Sequence, residues 1–370
     1  GDGDLSNLIV DLIFGKLFKK HKEFAMRSSV LILLFLIFLL SCSQREKIPS
    51  LREYFNYGEE GVKTGGIKLI PIETPKGIFK VWTKRFGNNP RIKVLLLHGG
   101  PGSTHEYWEC VESFFPKEGI EFIYYDQLGS WYSDQPDDSS LWTTERFVEE
   151  VEQVRKALGL NKDNFYLLGH SWGGILAMEY ALKYQDNLKA LIISNMMSSC
   201  PEYDRYAEEV LSKDIPEDVL KQIREFEAKG DYKNPKYMDL LLKYYYVKHV
   251  LRIPLEQWPD PVNRAFSHTN EKIYVLMQGP SEFGISGRLE KWDRSKELGK
   301  IKVPTLVIGA RYDTMDPEHM RWMATQVQNG SFLFCPNGSH MCMYDDQEIY
   351  FNGLIRFIKE VDAGKKKVEF

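Results

Sequence analysis

The chain carries no surplus of positive charge: 48 Lys and Arg stand against 52 Asp and Glu, for a formal net charge of −4. Without a basic field to neutralise phosphates, nucleic acid is not expected among its partners. Cysteine is scarce, with Cys42, Cys110, Cys200, Cys335 and Cys342 the only five, and no Cys-x-x-Cys pair occurs. A His-Glu-x-x-His pattern is also missing, and the eight histidines are scattered. Neither ligand spacing typical of metal sites is present, so no metal or other cofactor is expected. There is no internal repeat, low-complexity tract or heptad run, which excludes solenoids and coiled coils.

What is there is a globular composition, 43% hydrophobic and 27% charged. The chain is long enough to bury one large core, or one core with an inserted subdomain.

Met26 opens the stretch MRSSVLILLFLIFLLSCSQ, with Arg27 followed by an apolar run from Val30 to Leu40. That run is short of the roughly 20 residues a membrane-spanning helix needs, so 26–41 is predicted to be a signal peptide. Leu39-Leu40-Ser41-Cys42 resembles a lipobox. The expectation is an exported bacterial lipoprotein, anchored through Cys42 and facing the periplasm or cell surface; the plainer alternatives are an ordinary secretory signal or a buried helix. Residues 1–25 precede this signal and read as a misplaced-start extension, and polar residues 42–61 read as a tether. In an oxidising compartment the other four cysteines are allowed disulfides. Cys335 and Cys342 are near enough in sequence to pair, with connectivity left open.

From there the pattern is strand-like at 67–73 and 77–86, then nearly continuous Val/Ile/Leu runs at 91–100, 120–129, 164–171, 188–196, 303–313 and 331–336. Continuous apolar strands belong in a parallel sheet covered on both faces. Helical patterns at about 141–158, 173–184, 317–327 and 346–360 alternate with them, which predicts an α/β doubly wound fold. Residues 197–300 break the alternation with charge-rich helical patterns. They read as a helical cap inserted between the core segments 62–196 and 301–364, over the sheet edge where such folds bind ligands.

Residues 167–174 read LLGHSWGG, a Gly-x-Ser-x-Gly pattern that presents Ser171 on a strained strand-to-helix turn. A nucleophilic serine needs a base and an acid that orients it. Asp313 ends the strand VPTLVIGARYD, and His340 lies in the loop NGSHM after SFLFCP. Ser, Asp and His, each after its own strand, follow the order of the α/β-hydrolases. The loop HGGPG at 98–102 offers the N–H of Gly100 to a developing oxyanion, opposite the N–H of Trp172. Taken singly, each of these residues fits a turn or a cap; in this order they predict acyl transfer.

At HGGPG, GHSWGG and the Asp/His pair, the chain resembles the proline iminopeptidase (prolyl aminopeptidase) family of α/β-hydrolase serine peptidases, especially its tricorn-interacting branch. The resemblance covers roughly 65–362 and includes Tyr125-Asp126-Gln127-Leu128-Gly129-Ser130. Many relatives have arginine where this chain has Leu128, and a small residue in place of Trp131. The resemblance implies an α/β-hydrolase fold with a helical cap and cleavage of one residue, often proline, from peptides with a free N-terminus. It also gives Glu282, in GPSEFGISG, the binding of the substrate amine. A second acidic anchor of that branch falls at Thr314 here, which leaves Asp316 to be considered. Phe283 and Tyr244-Tyr245-Tyr246 are expected either to wall an apolar pocket or to form cap core. The alternatives are an esterase or amidase of the same fold and a surface lipoprotein that uses the fold only for binding.

Overall fold

A computed structural model describes Tyr54 and residues 66–370. The expected signal peptide, lipid anchor and upstream extension lie outside these residues. Eight strands form one sheet: β1 (Ile67–Thr74), β2 (Gly77–Phe86), β3 (Lys93–Leu97), β4 (Glu121–Asp126), β5 (Phe165–His170), β6 (Ala190–Ser194), β7 (Thr305–Ala310) and β8 (Gly330–Cys335). Their spatial order is β1-β2-β4-β3-β5-β6-β7-β8. β1 and β2 pair antiparallel with each other, as do β2 and β4. β4, β3 and the remaining strands run parallel.

Each expected strand is present, and burial explains why the central ones were legible. Every residue of β4, β5, β6 and β7 is buried, whereas β1 at the edge alternates. Successive side chains point to opposite faces. Val94, Leu96, Ile192 and Ile308 therefore join one core, and Leu95, Leu97, Ile193 and Val307 the other.

Helices α1 (Thr144–Ala157), α2 (Trp172–Tyr184) and α9 (Pro317–Gln326) cover the second face, through residues such as Val151, Ile175 and Met320. On the first face lies α11 (Gln347–Asp362), with Tyr350, Leu354 and Phe357, preceded by the single turn α10 (Cys342–Asp345).

Between β6 and β7 the chain forms α3 (Cys200–Glu209), α4 (Glu217–Lys229), α5 (Pro235–Leu241), α6 (Val247–His249), α7 (Asp260–Ser267) and α8 (Glu271–Met277). A π-helical turn, Leu242–Tyr246, joins α5 to α6. Among the described residues of this insertion the only β contact is the isolated bridge between Ser199 and Asp293.

Two points bear on the tether and on the cysteines left open above. Tyr54, inside the stretch read as a polar tether, is 1% exposed and donates its hydroxyl to Ile120 O at 2.7 Å. The chain is docked on the core at that residue, because an aromatic ring gains more from burial than from solvent. Cys110, Cys200, Cys335 and Cys342 are all free thiols. Cys342 Sγ donates to Asn195 Oδ1 at 3.3 Å rather than joining Cys335. Among the described residues no helix is long and apolar enough to cross a membrane.

Candidate active site

Ser171, Asp313 and His340 lie just past the carboxyl ends of the parallel strands β5, β7 and β8. Ser171 follows β5 immediately and caps α2 with φ 56° and ψ −126°. A non-glycine residue in that region is strained, and it persists only where surrounding structure enforces it. Here the flanking glycines do so. A Cβ on Gly169 would lie 1.9 Å from Gly173 O, and one on Gly173 would lie 2.3 Å from Leu97 O. The turn is that tight because β3, β5 and α2 meet there, and no side chain fits between their backbones.

His340 follows β8, and its Nδ1 lies 2.8 Å from Asp313 Oδ1 after β7. A carboxylate accepts, so Nδ1 carries the proton and Nε2 is left as the basic nitrogen. Burial alone would lower the imidazole's pKa, but the Asp313 charge and its hydrogen bond outweigh that and hold it above the ordinary value. Asp313 is itself fixed. Oδ2 accepts from Asn195 Nδ2 at 2.7 Å, and Oδ1 from Met315 N at 3.1 Å. Asn195 follows β6 with φ 53°. Ser171 and His340 line one cavity, although among the described residues no hydrogen bond joins Ser171 Oγ to His340 Nε2. Such contacts are often long before substrate tightens them.

The glycine loop after β3 faces Ser171, with Gly99 and Gly100 on the cavity wall. Gly99 N–H is taken by the Tyr107 hydroxyl at 2.6 Å. Gly100, at φ 107°, is a position that suits glycine. Trp172 opens α2, so its N–H is one of the first-turn amides with no partner inside the helix.

Side chains tie the segment before Gly100 to the start of α2. Gln127 N donates to His98 Nε2 at 3.1 Å, Gln127 Nε2 donates to His98 O at 3.1 Å, and Trp172 Nε1 donates to Gln127 Oε1 at 2.8 Å. Burial drives the His98 pKa down to about 4, so it remains a neutral acceptor. A second chain of bonds runs from Gly99 N–H through Tyr107 to His170 Nδ1 at 3.1 Å, and from His170 Nε2 to His340 O at 2.8 Å. Burial, together with the neighbouring His340, holds His170 well below the ordinary histidine value.

The cavity measures about 660 Å³ and its wall is largely the helical insertion, including Tyr246, Trp258 and Phe266. Glu282 lines it with Ser171 and His340. Tyrosines hold Glu282 from several sides: Tyr274 donates to Oε1 at 2.5 Å, Tyr246 accepts from its N–H at 3.0 Å, and Tyr203 donates to its carbonyl at 2.6 Å. Of the aromatics flagged in the sequence, Tyr246 faces the cavity. Tyr245 and Phe283 are buried in the core with ring centroids 4.8 Å apart.

Asp316 does not replace the missing anchor: it caps α9, accepting from Glu318 N at 2.9 Å, and it is not part of the cavity wall. Thr314 Oγ1 lies 3.1 Å from His340 Nδ1 and faces the same ring as Asp313. Among the described residues no cluster of three or more His, Cys, Asp or Glu could hold a metal ion.

The alpha/beta hydrolase fold family matches residues 93–230. Over 80% of this chain and 99% of the other, the sequence is 63% identical to a proline iminopeptidase of Flavobacterium johnsoniae. The chain belongs to the proline iminopeptidase family. Its structure resembles that of VinJ, with TM-score 0.73 and 27% identity over 79% of this chain and 98% of that one. It also resembles the proline iminopeptidase of Mycobacterium smegmatis, with TM-score 0.69 and 26% identity over 80% and 99%.

Within this family member, the two sequence departures have structural settings. Leu128 is fully buried, and its N–H donates to Glu150 Oε1 at 2.8 Å. Trp131 stacks on His268 of the insertion, ring centroids 3.5 Å apart. Sequence reading missed Asn195, Tyr107 and His170. Asn195 and Tyr107 carry no motif and His170 fills a variable position of Gly-x-Ser-x-Gly, since each acts by holding a neighbour's backbone or side chain. The one available signal was that His170 lies beside the serine.

Proposed function

We propose that this proline iminopeptidase-like hydrolase removes an N-terminal residue, proline or another small apolar one, from peptides with a free amine. Ser171 is the nucleophile, His340 the base and Asp313 the orienting acid. His340 Nε2 takes the Ser171 proton as Oγ attacks the first peptide carbonyl. The N–H groups of Gly100 and Trp172 stabilise the tetrahedral oxyanion. Its collapse breaks the C–N bond, and His340 gives the proton to the leaving amine. Water, activated by the same histidine, then releases the amino acid from Ser171.

The observation that carries the exopeptidase reading is that Glu282 shares the cavity with Ser171 and His340. Tyr274 occupies Oε1 of that carboxylate, which leaves Oε2 to pair with a protonated amine. A blocked N-terminus brings no such charge and forfeits the pairing.

The test compares Pro- and Ala-4-nitroanilide with their N-acetylated forms. Wild type is expected to cleave only the free-amine forms. Ser171→Ala should lose at least about a thousand-fold in kcat. Glu282→Ala should raise KM for free-amine substrates about ten- to a hundred-fold, since a hydrogen bond to a charged group is worth ~1.5–3 kcal/mol. Turnover that ignores acetylation would favour an esterase or amidase instead.

A further inference from the structure

The insertion does more than wall the cavity. At the end of α6 its backbone and side chains meet both loops that carry His340 and Asp313. His249 O accepts the N–H of His340 at 2.9 Å, and Val250 O accepts that of Met341 at 2.9 Å. Two residues on, Arg252 N–H donates to Asp345 Oδ2 at 3.0 Å, and the Arg252 guanidinium lies 3.6 Å over the Tyr312 ring. The histidine loop is thus held by the insertion as well as by β8.

The His249 side chain reaches the other loop. Its Nδ1 lies 2.9 Å from Tyr312 O, the residue before Asp313. A carbonyl only accepts, so Nδ1 must carry the proton. The other ring nitrogen, Nε2, faces Asp214 Oδ2 at 3.1 Å. His249 is 4% exposed, with the Tyr245 ring centroid 5.1 Å from its own. One residue therefore bonds to the backbone of both loops, through its carbonyl to His340 and through its imidazole to Tyr312. The separation of the two loops sets the Asp313–His340 hydrogen bond.

We infer that His249 is a positioning residue for the hydrolytic reaction, a latch by which the insertion fixes Asp313 relative to His340. This rests on the reading of Ser171, His340 and Asp313 as a triad, but not on the identity of the substrate. His249 is not on the cavity wall, so removing its side chain should alter reactivity rather than substrate affinity. With alanine the backbone bond to His340 survives while the half-buried Tyr312 O loses its partner. Asparagine matches the reach of imidazole Nδ1 and can donate to Tyr312 O, whereas the amide of glutamine corresponds to Nε2 and cannot make that bond in the same place.

The experiment measures second-order phosphonylation of Ser171 by an alkyl fluorophosphonate, which carries no amine, alongside kcat and KM for Pro-4-nitroanilide. His249→Ala is expected to slow phosphonylation and kcat about ten-fold, with KM within about two-fold of wild type. His249→Asn should recover most of both rates, and His249→Gln should not. Should the alanine variant fail to fold, as judged by thermal unfolding, the Asn and Gln variants decide the matter on their own. Wild-type phosphonylation in His249→Ala, or equal losses in Asn and Gln, would overturn the latch. No labelling of Ser171 in the wild type would overturn the triad and the latch together. Labelling without aminopeptidase activity removes only the proposed substrate, and the phosphonylation rates still judge the latch.

Discussion

At the scale of single residues, the site is a set of protons whose places are fixed by neighbours. Asp313 keeps His340 protonated on Nδ1 and holds its pKa above the ordinary 6.5 despite burial. As pH falls, His340 therefore takes up its second proton earlier than an unperturbed imidazole would, and the protonated ring cannot accept from Ser171. The rate of Ser171 phosphonylation should fall through a midpoint above pH 6.5, and a titration of that rate checks it; a midpoint below 6.5 would contradict the Asp313 contribution. His170 and His98 are held neutral by burial and should leave this limb undisturbed. Ser171, Asp313, His340 and Gly100 could be named from the sequence because they follow a pattern along the chain, and Glu282 because of the family resemblance. Asn195, Tyr107 and His249 were invisible because a residue that holds a partner far away in sequence leaves no local pattern.

At the scale of elements, the turn between β5 and α2 is the strained piece, and its glycines are the reason it can exist. Gly173→Ala puts a methyl against Leu97 O. Such overpacking costs about 1–3 kcal/mol and sometimes more, and here β3 would have to move, carrying the glycine loop after it. The expected outcome is a lower melting temperature together with a loss of kcat larger than the stability change explains. Unaltered melting and turnover would show that the turn has slack. The same elements show why the fold was readable. β4 to β7 are buried on both faces, so their sequences are continuously apolar, whereas the insertion's helices pack on one side and mix charge with aromatics. Its location could be read, but not which aromatics face the cavity: Tyr245 and Tyr246 are adjacent, and only Tyr246 lines it. The π-helical turn at Leu242–Tyr246 shifts the helical phase at that point, and no periodicity rule anticipates it.

At the scale of the whole molecule, we propose that the enzyme is tethered by a lipid at Cys42. Metabolic labelling with a palmitate analogue should mark the wild-type protein and not Cys42→Ser, and the variant should move from the membrane to the soluble fraction. An unlabelled wild type would leave an ordinary secretory signal. The latch also bears on how the protein can be altered. His340 and Met341 donate their amides to residues 249 and 250, so the insertion and the α/β core are not separable cassettes. Grafting the insertion of another hydrolase between β6 and β7 would strip the histidine loop of its acceptors along with the old pocket. New specificity in this scaffold is better sought by replacing cavity side chains one at a time, with residues 249–252 left in place.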